Sequence, residues 1–130
     1  RATRPWQHVL EPVSGYLLLA ERLYADGHQY AEGWNFGPLD EGAKPVDWIL
    51  NHMVKQWGEG AHWEFDKEAQ PHEAQLLKLD ISKASSRLNW RPRWELSKTL
   101  NSIIDWHKSW LSGHDVRQTT LHQINHFFGE

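Results

Sequence analysis

The sequence predicts a mixed α/β fold, helices with a few short strands, and three observations carry that prediction. Several segments repeat apolar residues at helical spacing. A few shorter ones alternate and are bounded by glycine or proline. The composition, 39% hydrophobic and 24% charged over 130 residues, is that of a globular chain long enough to bury one core, so residues 1–130 are read as a single domain. The strands are too few and too irregularly placed among the helices to build an independent doubly wound sheet. The pattern suits a cap domain or the second half of a larger design.

Each element has its own signal. Glu11-Pro12 marks a helix start, because proline is tolerated in a first turn and an acid suits the positive end of the helix dipole. Val13, Tyr16, Leu17, Ala20 and Leu23 then recur at helical spacing and Asp26-Gly27 stops the run, which predicts a helix over about 12–25. YAEGWNF, residues 30–36, alternates loosely and reads as a strand running into Gly37-Pro38 and a polar loop. Pro45 opens a second helix, with Val46, Ile49, Leu50, Met53, Val54 and Trp57 on one face and Gly58 as the stop. AHWEFD (61–66) and QLLKL (75–79) read as strands, with an irregular polar stretch between them. Asp80 or Ser82 can cap the short helix SKASSRLN. WRPRW is a connection, since proline disfavours helix at the residue before it. Long helices follow over about 95–110 and 115–128.

Composition excludes several functions. With 14 basic and 17 acidic residues the net charge is −3, so nothing pulls the whole chain toward nucleic acid or an anionic membrane, and any anion must be bound locally. The absence of cysteine excludes a disulfide scaffold, a thiolate metal site and a catalytic thiol, and it fits a cytoplasmic location. The longest apolar run, Tyr16 to Ala20, is far shorter than the roughly 20 residues that span a bilayer. No G-x-G-x-x-G turn, P-loop, G-x-S-x-G elbow or Y-x-x-x-K pair occurs, so no catalytic residue is assigned.

Three constellations carry possible chemistry. Arg4, Trp6 and His8 alternate along an extended stretch and so are expected on one face, where the arginine fork could grip a phosphate beside an indole; a surface arginine stacked on a tryptophan is the competing reading. Pro71-His72-Glu73 lies in a polar loop and could exchange hydrogen bonds with hydroxyls, or be plain solvated loop. His122 and His126 have the spacing of a two-histidine metal edge, but HQINH lacks both the glutamate and a third ligand, so no metal is expected.

The stretches RPWQHVLEPVSGYLLLAERL and HEAQLLKLDISKASSRLNWRPRWELSKTLNSIIDWH resemble the C-terminal portion of the extended short-chain dehydrogenase/reductase superfamily, and within it the sugar-nucleotide 4,6-dehydratases. NFGP, WGEGAHWEFD, the PHEA loop and WHKSWLSGHDVRQTTLHQI resemble the branch that acts on CDP-glucose. The resemblance implies an NAD-dependent lyase of deoxysugar and O-antigen biosynthesis, cytoplasmic and homo-oligomeric at full length. Its N-terminal Rossmann domain, absent here, would bind NAD and supply the catalytic groups. That expectation also accounts for a chain that opens on RATRPWQHVLEP with no methionine, and it implies that this piece alone is inactive and binds no NAD.

By the same resemblance Arg4 would hold the diphosphate of CDP-glucose or a related sugar nucleotide, and Trp6 would shape the wall beside it. Pro71, His72 and Glu73 fall where relatives touch the nucleotide, although Gln70 stands where they carry an arginine. Asp40, after NFGPL, falls near a nucleotide-facing asparagine of relatives, and LNWRPRW is expected to be structural. In the whole enzyme the implied chemistry is internal redox, from C4 of the hexose to C6 with loss of water.

Two other readings compete. One is a free-standing tryptophan-rich module that stacks sugar or base without catalysis, against which Trp48, Trp57, Trp106 and Trp110 fall on or beside apolar helix faces. The other is an assembly element on the last helix, which exposure of Leu121, Ile124, Phe127 and Phe128 would support.

Overall fold

The computed structural model describes residues 2–66 and 75–129. Its order is β1 (Thr3–Pro5), α1 (Leu10–Asp26), β2 (Ala43–Pro45), α2 (Val46–Trp57), α3 (Ser82–Arg87), α4 (Leu96–Leu111) and α5 (Val116–Gly129), with 3-10 turns at Gly27–Tyr30 and Asp40–Gly42. Among the described residues the fold is mostly helical with one two-stranded sheet, as expected of such a portion without a Rossmann domain.

The helices form where their punctuation places them. Pro12 sits in the first turn of α1, where its missing N–H leaves no bond unmade. Gly58, at φ 71°, closes α2 by donating its N–H to Val54 O. Asp80 Oδ1 accepts from Ser82 N at 2.8 Å at the head of α3, and Asp115 Oδ1 accepts from Arg117 N at 2.9 Å ahead of α5.

None of the three segments read as strands forms one of the two sheet strands. After the 3-10 turn, 31–36 is irregular: Trp34 Nε1 donates back to Tyr30 O at 3.0 Å, the two rings stack, and Phe36 enters the core. Residues 61–66 are held through Trp63, whose Nε1 donates to Asn51 Oδ1 on α2. Within 75–79 only Leu76 bridges, in parallel, to Thr3. The sheet arises instead between β1 and β2, paired antiparallel as Thr3↔Pro45, Arg4↔Lys44 and Pro5↔Ala43, with β2 in the stretch read as a polar loop. A strand is made by its ladder partner, and these partners are forty residues apart in sequence.

The main core joins Phe36, Ala84, Leu88 and Trp90, with Leu18, Leu19, Tyr30, Trp34 and Ile81 packed against it. Leu88 and Trp90 thus pack as expected of LNWRPRW. Trp90 Nε1 donates to Ser14 Oγ and its ring meets Phe36 edge-on at 5.0 Å. A second cluster holds Trp94 between His8 and Phe127, and α4 buries Leu100 and Ile104.

One helix face is inverted relative to the sequence reading. The apolar stripe of α1 points outward, with Tyr16 60% and Leu17 59% exposed, while Glu11, Ser14 and Gly15 turn inward. Gly15 explains the orientation: a Cβ there would lie 2.3 Å from Phe36 Cδ1, so only glycine admits the ring.

Candidate functional site

The ribbon of β1 and β2 is the scaffold of the candidate site. β1 is flanked on both edges, by β2 on one side and by Gln75 and Leu77 on the other, where Thr3 N donates to Gln75 O at 2.8 Å and Leu77 N to Thr3 O at 3.1 Å. Arg4 therefore sits at the centre of a small platform made from three distant segments. Its Nη1 donates to Thr3 O at 2.8 Å, which curls the guanidinium along the strand. Trp6 follows, and its Nε1 donates to Lys44 O at 2.8 Å, so the indole locks the two strands together.

Arg4, Trp6 and His8 do not share one surface. The strand ends at Pro5 and the chain turns toward α1, so alternation stops before His8. Trp6 lines a cavity of about 600 Å³ with Pro38, Leu39, Trp48, Trp94 and Leu96. His8 does not line it and is buried, its Nδ1 accepting from Leu10 N at 3.2 Å and its ring edge-on to Trp94 at 5.0 Å. Burial without a charged partner holds its pKa below the ordinary value of 6.5.

Asp40 is exposed in the 3-10 turn after NFGPL, where its Oδ1 accepts from Lys78 Nζ at 3.1 Å. That ion pair ties the turn to the segment that flanks β1. Pro71, His72 and Glu73 lie outside the described residues.

Sequence reasoning missed Glu11. Read as a dipole acid at a helix start, it is 1% exposed and receives Arg93 N at 3.0 Å on each oxygen and Trp94 N at 2.8 Å on Oε1. It thereby fixes the WRPRW connection, which forms one wall of the cavity. Burial raises its pKa, opposed by those backbone hydrogen bonds and by the charge of Arg93. Only the folded chain could show this, since the donors come from more than eighty residues away.

His122 and His126 stack on α5 with ring centroids 6.4 Å apart, and among the described residues no group of three His, Asp or Glu is arranged to hold a metal ion. No helix among them is long and apolar enough to cross a membrane.

Comparison with known proteins sets this helix-rich unit beside the sugar-nucleotide dehydratases. The chain is 52% identical over 124 residues to CDP-glucose 4,6-dehydratase of Salmonella typhimurium, an alignment that covers 95% of this chain and 34% of that protein. It spans about a third of the length of that relative, in agreement with the resemblance to a portion of a dehydratase read from the sequence. No protein-family model matches the chain.

Proposed function

We propose that this chain is the C-terminal, substrate-binding part of a sugar-nucleotide 4,6-dehydratase, a lyase that converts CDP-glucose to its 4-keto-6-deoxy form. The observation that carries the reading is the 52% identity to CDP-glucose 4,6-dehydratase across 95% of the chain. In this reading Arg4, on its platform, meets the diphosphate with a bidentate fork, and Trp6 walls the adjoining cavity. Asp40, Pro71, His72 and Glu73 are assigned to the nucleotide.

NAD belongs to the reaction but not to the described residues of this chain. The sheet here is one short antiparallel ribbon, and no parallel strand leads through a glycine-rich turn into a helix that could cradle a pyrophosphate. That cofactor goes with the rest of the enzyme, as do the Rossmann partner, a cytoplasmic location, assembly into homo-oligomers and the inactivity of this portion alone.

The alternatives have less behind them. Five indole N–H groups, those of Trp6, Trp34, Trp63, Trp90 and Trp106, are bonded to protein acceptors, which suits packing better than ring stacking on a ligand. An assembly role for α5 keeps Leu121 and Phe128 exposed but not Phe127, which is 0% exposed against Trp94.

Calorimetric titration with CDP-glucose, with UDP-glucose as control and Arg4→Ala as paired variant, tests the proposal. Binding that prefers CDP-glucose and weakens about tenfold or more in Arg4→Ala is the expected result. A folded chain that binds neither nucleotide overturns the assignment of recognition to these residues.

A further inference from the structure

We propose that Lys44 is the second cation of the diphosphate site, standing across the ribbon from Arg4. This rests on the reading of Arg4 above and deepens it, because Gln70 leaves no arginine for that role in the Pro71–Glu73 loop.

The register is the first argument. Arg4 and Lys44 are direct partners in an antiparallel pair, so both side chains rise from the same face of the sheet, with Cβ atoms about 4.5–5.5 Å apart. The second argument is the charge balance around the ribbon. Lys78 is neutralised by Asp40, whereas Lys44 has no carboxylate partner among the described residues, its Nζ lying 5.8 Å from the centroid of the Trp48 ring. The third is preorganisation. Trp6 Nε1 holds the carbonyl of Lys44, and Val46 N, two residues on, donates to Ala2 O at 3.1 Å, so the backbone under the ammonium is fixed on both sides. α2 begins directly afterward, and its positive dipole end further disfavours an uncompensated cation there. An arginine fork and a lysine point charge are complementary grips for two linked phosphates.

The test is calorimetric titration of the chain with CDP-glucose, and with inorganic pyrophosphate as competitor, for wild type, Arg4→Ala, Lys44→Met and Lys44→Arg. Lys44→Met keeps the apolar stem over Trp48 and removes only the charge. Expected are a roughly 10- to 100-fold weaker affinity in Lys44→Met, recovery of most of it in Lys44→Arg, and loss of pyrophosphate competition. The ligand-free melting temperature of Lys44→Met should match that of wild type, since the stem over Trp48 is kept. If Arg4→Ala weakens binding and Lys44→Met does not, the inference fails while the proposed function stands. If wild type binds no CDP-glucose, both fail. Unchanged pyrophosphate competition in a weakened Lys44→Met assigns Lys44 to the sugar or base and overturns the inference, as does a clear drop in its melting temperature.

Discussion

Glu11 offers the sharpest test of the packing argument. Glu11→Ala deletes the acceptor of Arg93 N and Trp94 N and leaves two backbone donors without a partner in a region where Trp94 is buried. An unsatisfied buried donor costs about 1–3 kcal/mol, so the two together cost about 2–6 kcal/mol. Part of this is offset because the carboxylate no longer has to be desolvated, a burden visible in its raised pKa. A net loss of about 2–4 kcal/mol is expected, and for a chain of this size that lowers the melting temperature by roughly 10 °C. Glu11→Gln, which keeps one acceptor of the right shape, should fall between the two. Urea unfolding of the three proteins measures the difference as a shift in midpoint at constant slope. A loss under about 1 kcal/mol in Glu11→Ala would refute the idea that this side chain holds the WRPRW wall. The pH dependence supplies an independent check: the folded carboxyl keeps its proton to higher pH than the unfolded one. Its titration therefore removes stability as pH rises above the ordinary value of 4.5, and that component should vanish in Glu11→Gln.

Three further predictions follow from single contacts. Gly15→Ala should destabilise by about 1–3 kcal/mol through collision with Phe36, although alanine is the better helix former, and a variant as stable as wild type would show that the ring is free to move. His8, whose folded pKa is lowered, contributes stability that is complete above pH 6.5 and is lost as pH falls through its folded value. His8→Asn, which can still accept from Leu10 N, should flatten a stability curve below pH 6.5 measured by thermal melts; an unchanged curve would place the acid sensitivity elsewhere. The outward stripe of α1, with Tyr16, Leu17 and the 96% exposed Tyr24, should make the chain associate as its concentration rises. Sedimentation should show that Leu17→Lys reduces this association, and a strictly monomeric wild type would count against it.

The sequence alone determined where the helices lie. Pro12, Gly27, Pro45, Gly58, Asp80 and Gly113 act on neighbours within a turn, so their effects are readable locally, and α1, α2, α4 and α5 form within a few residues of the expected limits. It also determined the resemblance to a dehydratase portion, because motifs such as RPWQHVLEP and LNWRPRW are strings of adjacent residues. Tertiary structure decided everything that depends on a distant partner. β2 exists because β1 pairs with it, and no alternation in AKP announces a strand. Glu11 became a clamp because two N–H groups of a remote connection arrive at it, and α1 turned its apolar stripe outward because Gly15 admits Phe36. Lys44 came to stand opposite Arg4 in the same way, through a ladder whose bonds join residues forty apart in the chain.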